Sequence, residues 1–532
     1  MTTDSSDSCL RDLEDPSIDD PGTGSRLRAG GLALVALTVG SALLRLGGRD
    51  LSLWVDEGMS VGIASHPLVE IPAVLAQDGS PPLYYVLLHA WMQAFGPSVA
   101  SVRALSLFFA LATVPVAYGA GRLVSARVAW VAAGLAATSP YITVQSREAR
   151  MYALLVLVGL VAVAGFLATF ALGRRRWLPV FVLGLTAVLY THHWGLFLAV
   201  GLAAGTLWCI VSAGEGRRQV ALDSGMAFGA VALLYAPWVP TLLAQIRETG
   251  APWSRTPGAD DALGAVGSVL GTQWVVLVLG LALFPVVAGG RCSTLVRRMA
   301  GLLGLVLAVT VATSWGASQV TPAWSTRYFG AYLPVLVLLG AVALARTTRS
   351  AVIGLAAVVV LWTVPLPLVA GGRTPGTPVP KSNVAELAGS LDPLLGPGDV
   401  VLSTQMEQVP LLRYYLGPGL RYADPTGVVA DPRVADWRDV FARLRRADPV
   451  AVLAPLVDEV KVGGHVVVAC PRLFTDEDDL FWYRLMDRHC DTATRALDGD
   501  PRLERVWGPA PGPEVRRVGA AMAVTVYERI DG

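Results

Sequence analysis

Hydrophobic positions along the chain gather into eleven runs with almost no charge: 29–47, 99–120, 127–144, 152–172, 177–190, 195–213, 224–245, 264–289, 299–316, 328–345 and 351–370. A bilayer core about 30 Å thick is crossed by about 20 mostly apolar helical residues, so each run predicts a membrane-spanning helix. The two runs around 177–213 are short and parted only by Thr191-His192-His193-Trp194. Residues 1–28 are polar and acidic up to Arg26, unlike the basic start of a cleavable signal peptide. They predict a disordered cytoplasmic tail ahead of a retained first span. After residue 370 the pattern changes. Segment 371–382 is rich in Pro and Gly and predicts a linker. Residues 383–532 then alternate short apolar runs with helical spacing. Runs 399–404, 449–455, 465–470 and 523–530 predict buried strands, and 407–417, 435–446 and 475–497 predict helices. That alternation predicts a small α/β domain with a largely parallel sheet. No glycine-rich phosphate fingerprint accompanies it.

Composition agrees with this division. Of 532 residues, 53% are hydrophobic and only 16% charged, against about 25% charged in a soluble domain. An ordinary cytosolic enzyme, a disordered chain, a disulfide-stapled miniprotein and a solenoid are thereby excluded. A net charge of +1 offers no basic field for nucleic acid. All basic residues except Lys381 and Lys461 are Arg. With the N-terminus placed in the cytoplasm, inner segments from residue 26 on hold fourteen Arg, and outer segments as far as residue 370 hold eight. This is the asymmetry that the positive-inside rule demands. The expected fold is an α-helical polytopic plasma-membrane protein of about eleven spans with an extracytoplasmic C-terminal α/β domain. Of the five cysteines, only Cys470 and Cys490 share that outer domain, where a disulfide would persist. A bridge and two buried thiols are both open.

Pumps and channels carry ionisable groups inside their spans, whereas here the notable polar residues collect in four outer loops. The first, 48–98, opens RDLSLWVDEGMS, setting Asp56 and Glu57 beside Trp54 at the end of a span. A half-buried carboxylate there suits a general base; the alternative is that Asp56 caps the helix that follows. The same loop continues QDGSPPLYYVLLHAW, with Asp78 before Pro81-Pro82. An interfacial helix should follow, with Tyr84 and Tyr85 at headgroup depth. The second loop, TSPYITVQSREARMYAL, places Arg147 and Arg150 three apart near Tyr152, on one face if helical. Such a pair can clamp a phosphate or snorkel to lipid headgroups. The third holds His192 and His193, whose adjacency argues against a two-histidine metal site, next to a sugar-stacking or interfacial Trp194. The fourth brings Arg327 and Tyr328 to the outer end of a span. Trp437, Trp482 and Tyr483 of the C-terminal domain either stack sugars or fill its core.

WVDEG in a long first outer loop, DGSPPLYY, SREARMY and TRYFGAYLP together resemble the glycosyltransferase-C superfamily. The nearest branch is that of bacterial relatives of protein O-mannosyltransferases and lipid A aminoarabinose transferases. The resemblance covers about 29–345. It implies an integral membrane glycosyltransferase that moves one sugar from a polyprenyl-phosphate carrier to an extracytoplasmic glycan, lipid or protein. Asp56 would supply the base with Glu57 as neighbour, and Arg150 and Arg327, with Arg147, Tyr152 and Tyr328 around them, would hold the donor phosphate. Trp54, Asp78, Tyr84, His192 and His193 would line the substrate. Mannose is the sugar the resemblance suggests first, with arabinofuranose or glucose behind it. No cofactor is implied with certainty. Asp56 and Glu57 sharing a divalent cation is the alternative, though no His/Cys set has ligand spacing. The competing class is a transporter or flippase of polyprenyl-linked sugars or lipids, which calls for midplane charges or an inverted repeat; the sequence displays neither.

Overall fold

The computed structural model describes residues 23–47, 51–251, 254–288, 293–364, 381–472, 481–510 and 521–531. The tail before residue 23, the expected linker over 371–380, Cys9 and Cys292 lie outside the described residues. Among the described residues every apolar run falls largely on helix. The helices open where hydroxyl side chains meet free amides: Ser98, Ser125, Ser139, Ser293 and Thr347 each accept from a backbone N–H two or three residues on. Five described helices are long and apolar enough to cross a membrane, six if one bent pair counts as a single span. Leu32, Val35, Leu233, Leu281 and Phe284 are exposed on them, as lipid-facing positions are, and the chain is a multi-pass membrane protein. Helix Tyr152–Phe166 is buried almost all round and ends in a π-helical turn, Leu167–Ala171. It is the hub of the bundle.

Two runs are not single rods. The run over 264–289 is two helices, Ala259–Val269 and Gln273–Val287, meeting at 87°. The run over 127–144 breaks at Ser139, where Pro140 starts a short second helix. The first helix begins at Thr23, inside the stretch expected to be a disordered tail.

The long outer loop is itself helical, with Val55–Ala64, Ile71–Asp78 and Leu83–Phe95 in succession. Tyr84 and Tyr85 are fully buried among protein side chains. Helix Leu83–Phe95 lies against Val99–Arg122 and Leu178–Thr191, and the Tyr84 hydroxyl sits 3.3 Å from Ser106 Oγ.

Among the described residues the C-terminal domain carries a six-stranded sheet: β1 (Val400–Ser403), β2 (Arg421–Asp424), β3 (Gly427–Val428), β4 (His465–Arg472), β5 (Leu503–Ala510) and β6 (Ala521–Arg529), in the order β3-β2-β1-β4-β6-β5. Only β1 is parallel to its neighbours, β2 and β4; the other three ladders are antiparallel. The sheet is therefore mixed, not largely parallel. Residues 449–455 are not a strand. Asp448 Oδ1 accepts from the Val450 and Ala451 amides, Pro449 takes the first helical position, and Pro449–Glu459 is a helix burying Leu453, Leu456 and Val457. Within 435–446 only Val440–Arg446 is helical, because Asp436 accepts from the amide and guanidinium of Arg438 and holds a turn.

Cys470 of β4 and Cys490 of helix Phe481–Asp498 form a disulfide, Cα atoms 5.6 Å apart and 20 residues apart in sequence. Closing a loop of that length is worth about 3 kcal/mol through the unfolded state. Cys490→Ser in the full chain is expected to lower the melting temperature in detergent measurably, and to abolish the effect of reductant on it. An unchanged melting temperature would contradict this.

Contact between the domain and the outer loop is close. The Leu53 amide donates to Tyr415 Oη at 2.7 Å, the Trp437 amide to the Gln77 carbonyl at 2.9 Å, and His66 Nε2 meets Asp431 Oδ2 at 2.7 Å. At Gly58 a Cβ would stand 2.8 Å from Leu411 Cα. Only glycine lets helix Val55–Ala64 approach the domain so closely. The N-terminus of that helix is thereby fixed between bundle and domain.

Candidate active site

Helix Val55–Ala64 begins after Trp54, so Asp56 and Glu57 occupy its second and third positions. The two carboxylates do different work. Glu57 is wholly buried and reaches back to accept from the Trp54 amide at 3.3 Å, completing the cap. Capping therefore falls to Glu57 and not to Asp56. Arg103 grips Glu57 with two bonds, Nε to Oε1 at 2.8 Å and Nη2 to Oε2 at 2.6 Å, and the Ala149 amide donates to Oε1 at 2.8 Å. Each Glu57 oxygen accepts twice, which leaves none for a cation shared with Asp56.

Asp56 is oriented differently. Its Oδ2 is ion-paired with Arg327 and lies 3.8 Å from Arg150 Nε. Arg150 is buried, and its Nη1 donates to the Asp56 carbonyl at 3.2 Å and to Ser60 Oγ at 3.1 Å. Its Nε carries no hydrogen bond among the described residues. The Arg327 guanidinium stands 5.7 Å from both the Trp54 and Tyr328 rings. Its backbone is held by Tyr141, whose hydroxyl donates to the Arg327 carbonyl. Two guanidiniums thus converge on one carboxylate, leaving a surplus positive charge at the wall of a cavity of about 690 Å³.

The aromatic side of that cavity is built from Tyr152, His192, Trp194 and Tyr328. The Tyr328 ring is 6.3 Å from Tyr152, 5.0 Å from His192 and 5.5 Å from Trp194. Tyr152 Oη is buried without a hydrogen bond among the described residues. His192 Nδ1 accepts from the Trp194 amide at 3.1 Å, which puts its proton on Nε2. Burial, followed by the neighbouring His193, holds His192 well below the usual imidazole range, so it is neutral. His193 turns the other way, with Nε2 3.1 Å from the Gly79 carbonyl and 3.0 Å from Gln245 Oε1. Burial brings it down to about 4. Asp78, at the end of helix Ile71–Asp78, also faces the cavity; burial pushes its carboxyl up, against the pull of Arg150.

Most of the residues expected at the site thus meet: Trp54, Asp56, Asp78, Arg150, Tyr152, His192, His193, Arg327 and Tyr328 all line one cavity. Tyr84 lies behind it. Arg147 points elsewhere, donating to the Leu44 and Arg45 carbonyls at 3.0 and 3.4 Å. Residues 147–151 are turns rather than helix, so Arg147 and Arg150 share no face.

The C-terminal domain adds Gln405, Glu407, Trp437, Trp482 and Tyr483 to the lining, with Trp437 and Trp482 buried in that domain's hydrophobic cluster. Gln405 and Glu407 were not singled out by sequence reasoning. The available signal was position, since they directly follow a strand that pairs in parallel, where open α/β sheets present ligands.

No family model matches the chain, and no curated protein matches it in sequence. Solved structures do match in fold. ArnT from Cupriavidus metallidurans in the apo state gives a TM-score of 0.59 at 16% identity, covering 95% of this chain and 98% of that one. The same protein bound to undecaprenyl phosphate gives 0.60 at 15% identity, covering 94% and 98%. The match takes in the helical bundle and the C-terminal domain together, nearly end to end, and the chain has the glycosyltransferase-C fold.

Proposed function

We propose that the chain is a membrane glycosyltransferase that moves a single sugar, mannose in the first instance, from a polyprenyl-phosphate donor to a hydroxyl acceptor outside the cytoplasm. In this reading the N-terminus is cytoplasmic and the C-terminal domain lies outside. The observation that carries it is the convergence of Arg150 and Arg327 on Asp56 at a cavity wall. The undecaprenyl phosphate held by the fold's relative ArnT supports a polyprenyl-phosphate partner.

A donor phosphate entering the cavity competes with Asp56 for the two guanidiniums. Arginine matches phosphate geometry and carries its charge without a proton to give away. Asp56, released from its ion pairs, then accepts the proton of the attacking hydroxyl. The acceptor oxygen bonds to the anomeric carbon as the bond from that carbon to the phosphate oxygen breaks. The electron pair leaves on the phosphate, where the arginines stabilise it. With Glu57 fully engaged by Arg103 and Ala149, the acidic pair supplies one base and no nucleophile, so the displacement is single and inverts the anomeric centre.

The test is transfer of labelled mannose from polyprenyl-phosphate-mannose in membranes enriched in the chain, compared with membranes lacking it. The expected result is a labelled glycosylated product that appears only with the chain; an arm with EDTA reports whether a divalent cation takes part. Translocated lipid without product, for mannose, glucose and arabinofuranose donors alike, would mark a transporter and overturn the proposal.

A further inference from the structure

The cavity has a second polar feature where the C-terminal domain meets helix Val55–Ala64. Glu407 follows β1 directly, in a turn held by Ser403 Oγ donating to the Gln405 carbonyl at 2.8 Å and by the Thr404 amide donating to the Ala469 carbonyl at 3.0 Å. Its residue is 6% exposed. Oε1 accepts from Gln405 Nε2 at 2.8 Å, and Gln408 Nε2 reaches Gln405 Oε1 at 3.4 Å. Oε2 is buried and, among the described residues, accepts no hydrogen bond of good geometry, although the Trp482 side chain and the Glu407 amide lie near the carboxyl. Trp437 and Trp482, rings 5.9 Å apart and 29° from parallel, flank it, and the half-buried Tyr483 ring lines the cavity beside them.

We propose that this wall is the acceptor subsite and that it takes a sugar, whose hydroxyl groups donate to the Glu407 carboxylate while the part-exposed Tyr483 packs against the ring. The inference rests on the transferase reading and narrows its acceptor to a glycan. A buried carboxylate oxygen without a donor is costly, and burial pushes Glu407 up to about 7. A neutral polyol supplies several donors without adding charge. An acyl chain supplies none. The volume is within the roughly 300–1,000 Å³ of pockets that enclose a drug-sized ligand, enough for a donor sugar at the arginines and an acceptor sugar at Glu407.

Calorimetric titration of the purified full-length chain in detergent tests this, with neutral manno-, gluco- and arabino-tetrasaccharides as probes and undecaprenyl phosphate as the donor-side control. At least one tetrasaccharide is expected to bind saturably to the wild type. Glu407→Gln should weaken it roughly ten- to hundred-fold, the range for a hydrogen bond to a charged group, with undecaprenyl phosphate affinity unchanged. Tyr483→Ala, on a partly exposed ring, should weaken the saccharide in the same direction. Undecaprenyl phosphate binding with no tetrasaccharide binding overturns the subsite alone, as does equal saccharide affinity in Glu407→Gln. If undecaprenyl phosphate fails to bind the wild type, the donor reading falls, while saccharide binding that depends on Glu407 still supports a sugar site.

Discussion

Asp56→Asn is expected to lower the rate of sugar transfer by roughly a hundred- to ten-thousand-fold, the contribution of a positioned general base, while undecaprenyl phosphate binds at least as tightly as to the wild type. The two halves of this result come from the same geometry. Asn keeps the volume of Asp and one carbonyl oxygen, so the N-terminus of helix Val55–Ala64, capped by Glu57 rather than by Asp56, keeps its structure. What disappears is the negative charge that Arg327 and Arg150 share. Without it no carboxylate remains there to take the acceptor proton, yet both guanidiniums are left for the phosphate with less competition. A mutation that only damaged the fold would weaken donor binding and activity together. Turnover measured at saturating donor, beside calorimetric binding of undecaprenyl phosphate, separates the cases. Full activity in Asp56→Asn removes Asp56 from the proton transfer, and lost donor binding would mean that it holds the site together.

Much of this site was legible because its residues are unusual where they stand. Asp56, Arg150 and Arg327 are charged groups at the ends of apolar runs, and that local contrast marks them whatever the tertiary structure. Their meeting was not legible: Arg150 reaches Asp56 across 94 positions and Arg327 across 271. Arg147 shows the limit from the other side. Helical spacing would pair it with Arg150, but the chain turns over residues 147–151, and the bundle offers Arg147 the carbonyls at the end of the first helix. In the C-terminal domain, segment 449–455 looks like a strand because it is apolar, and the cap at Asp448 decides otherwise. The short β2 and β3 carry too few apolar residues to announce themselves. Glu407 illustrates a third kind of difficulty. Its importance depends on burial against a cavity formed by two domains, which no local pattern encodes.

Glu57→Ala should separate the two adjacent acids by the opposite phenotype, loss of folded protein by about 3–5 kcal/mol, the cost of stripping the partner from a buried ion pair. Arg103 is buried with Glu57 and also donates to the Leu51 and Ser52 carbonyls, so it has no route to solvent once its carboxylate is gone. The Ala149 and Trp54 amides lose their acceptor at the same time, and buried donors left unsatisfied add to the loss. Glu57→Gln keeps an acceptor for only one of those amides, sets an NH2 against the other and carries no charge for Arg103, so it should fall between Ala and wild type. Folded yield and melting temperature in detergent read this directly. Adding Arg103→Met to Glu57→Gln removes the stranded charge, and the double variant should be more stable than Glu57→Gln alone, giving a positive coupling in a double-mutant cycle. Whatever fraction of Glu57→Gln folds should turn over at close to the wild-type rate, since Asp56, Arg150 and Arg327 remain in place. Near-normal stability with collapsed turnover would instead make Glu57 a partner in the chemistry, and the division of labour between the two carboxylates would have to be reversed.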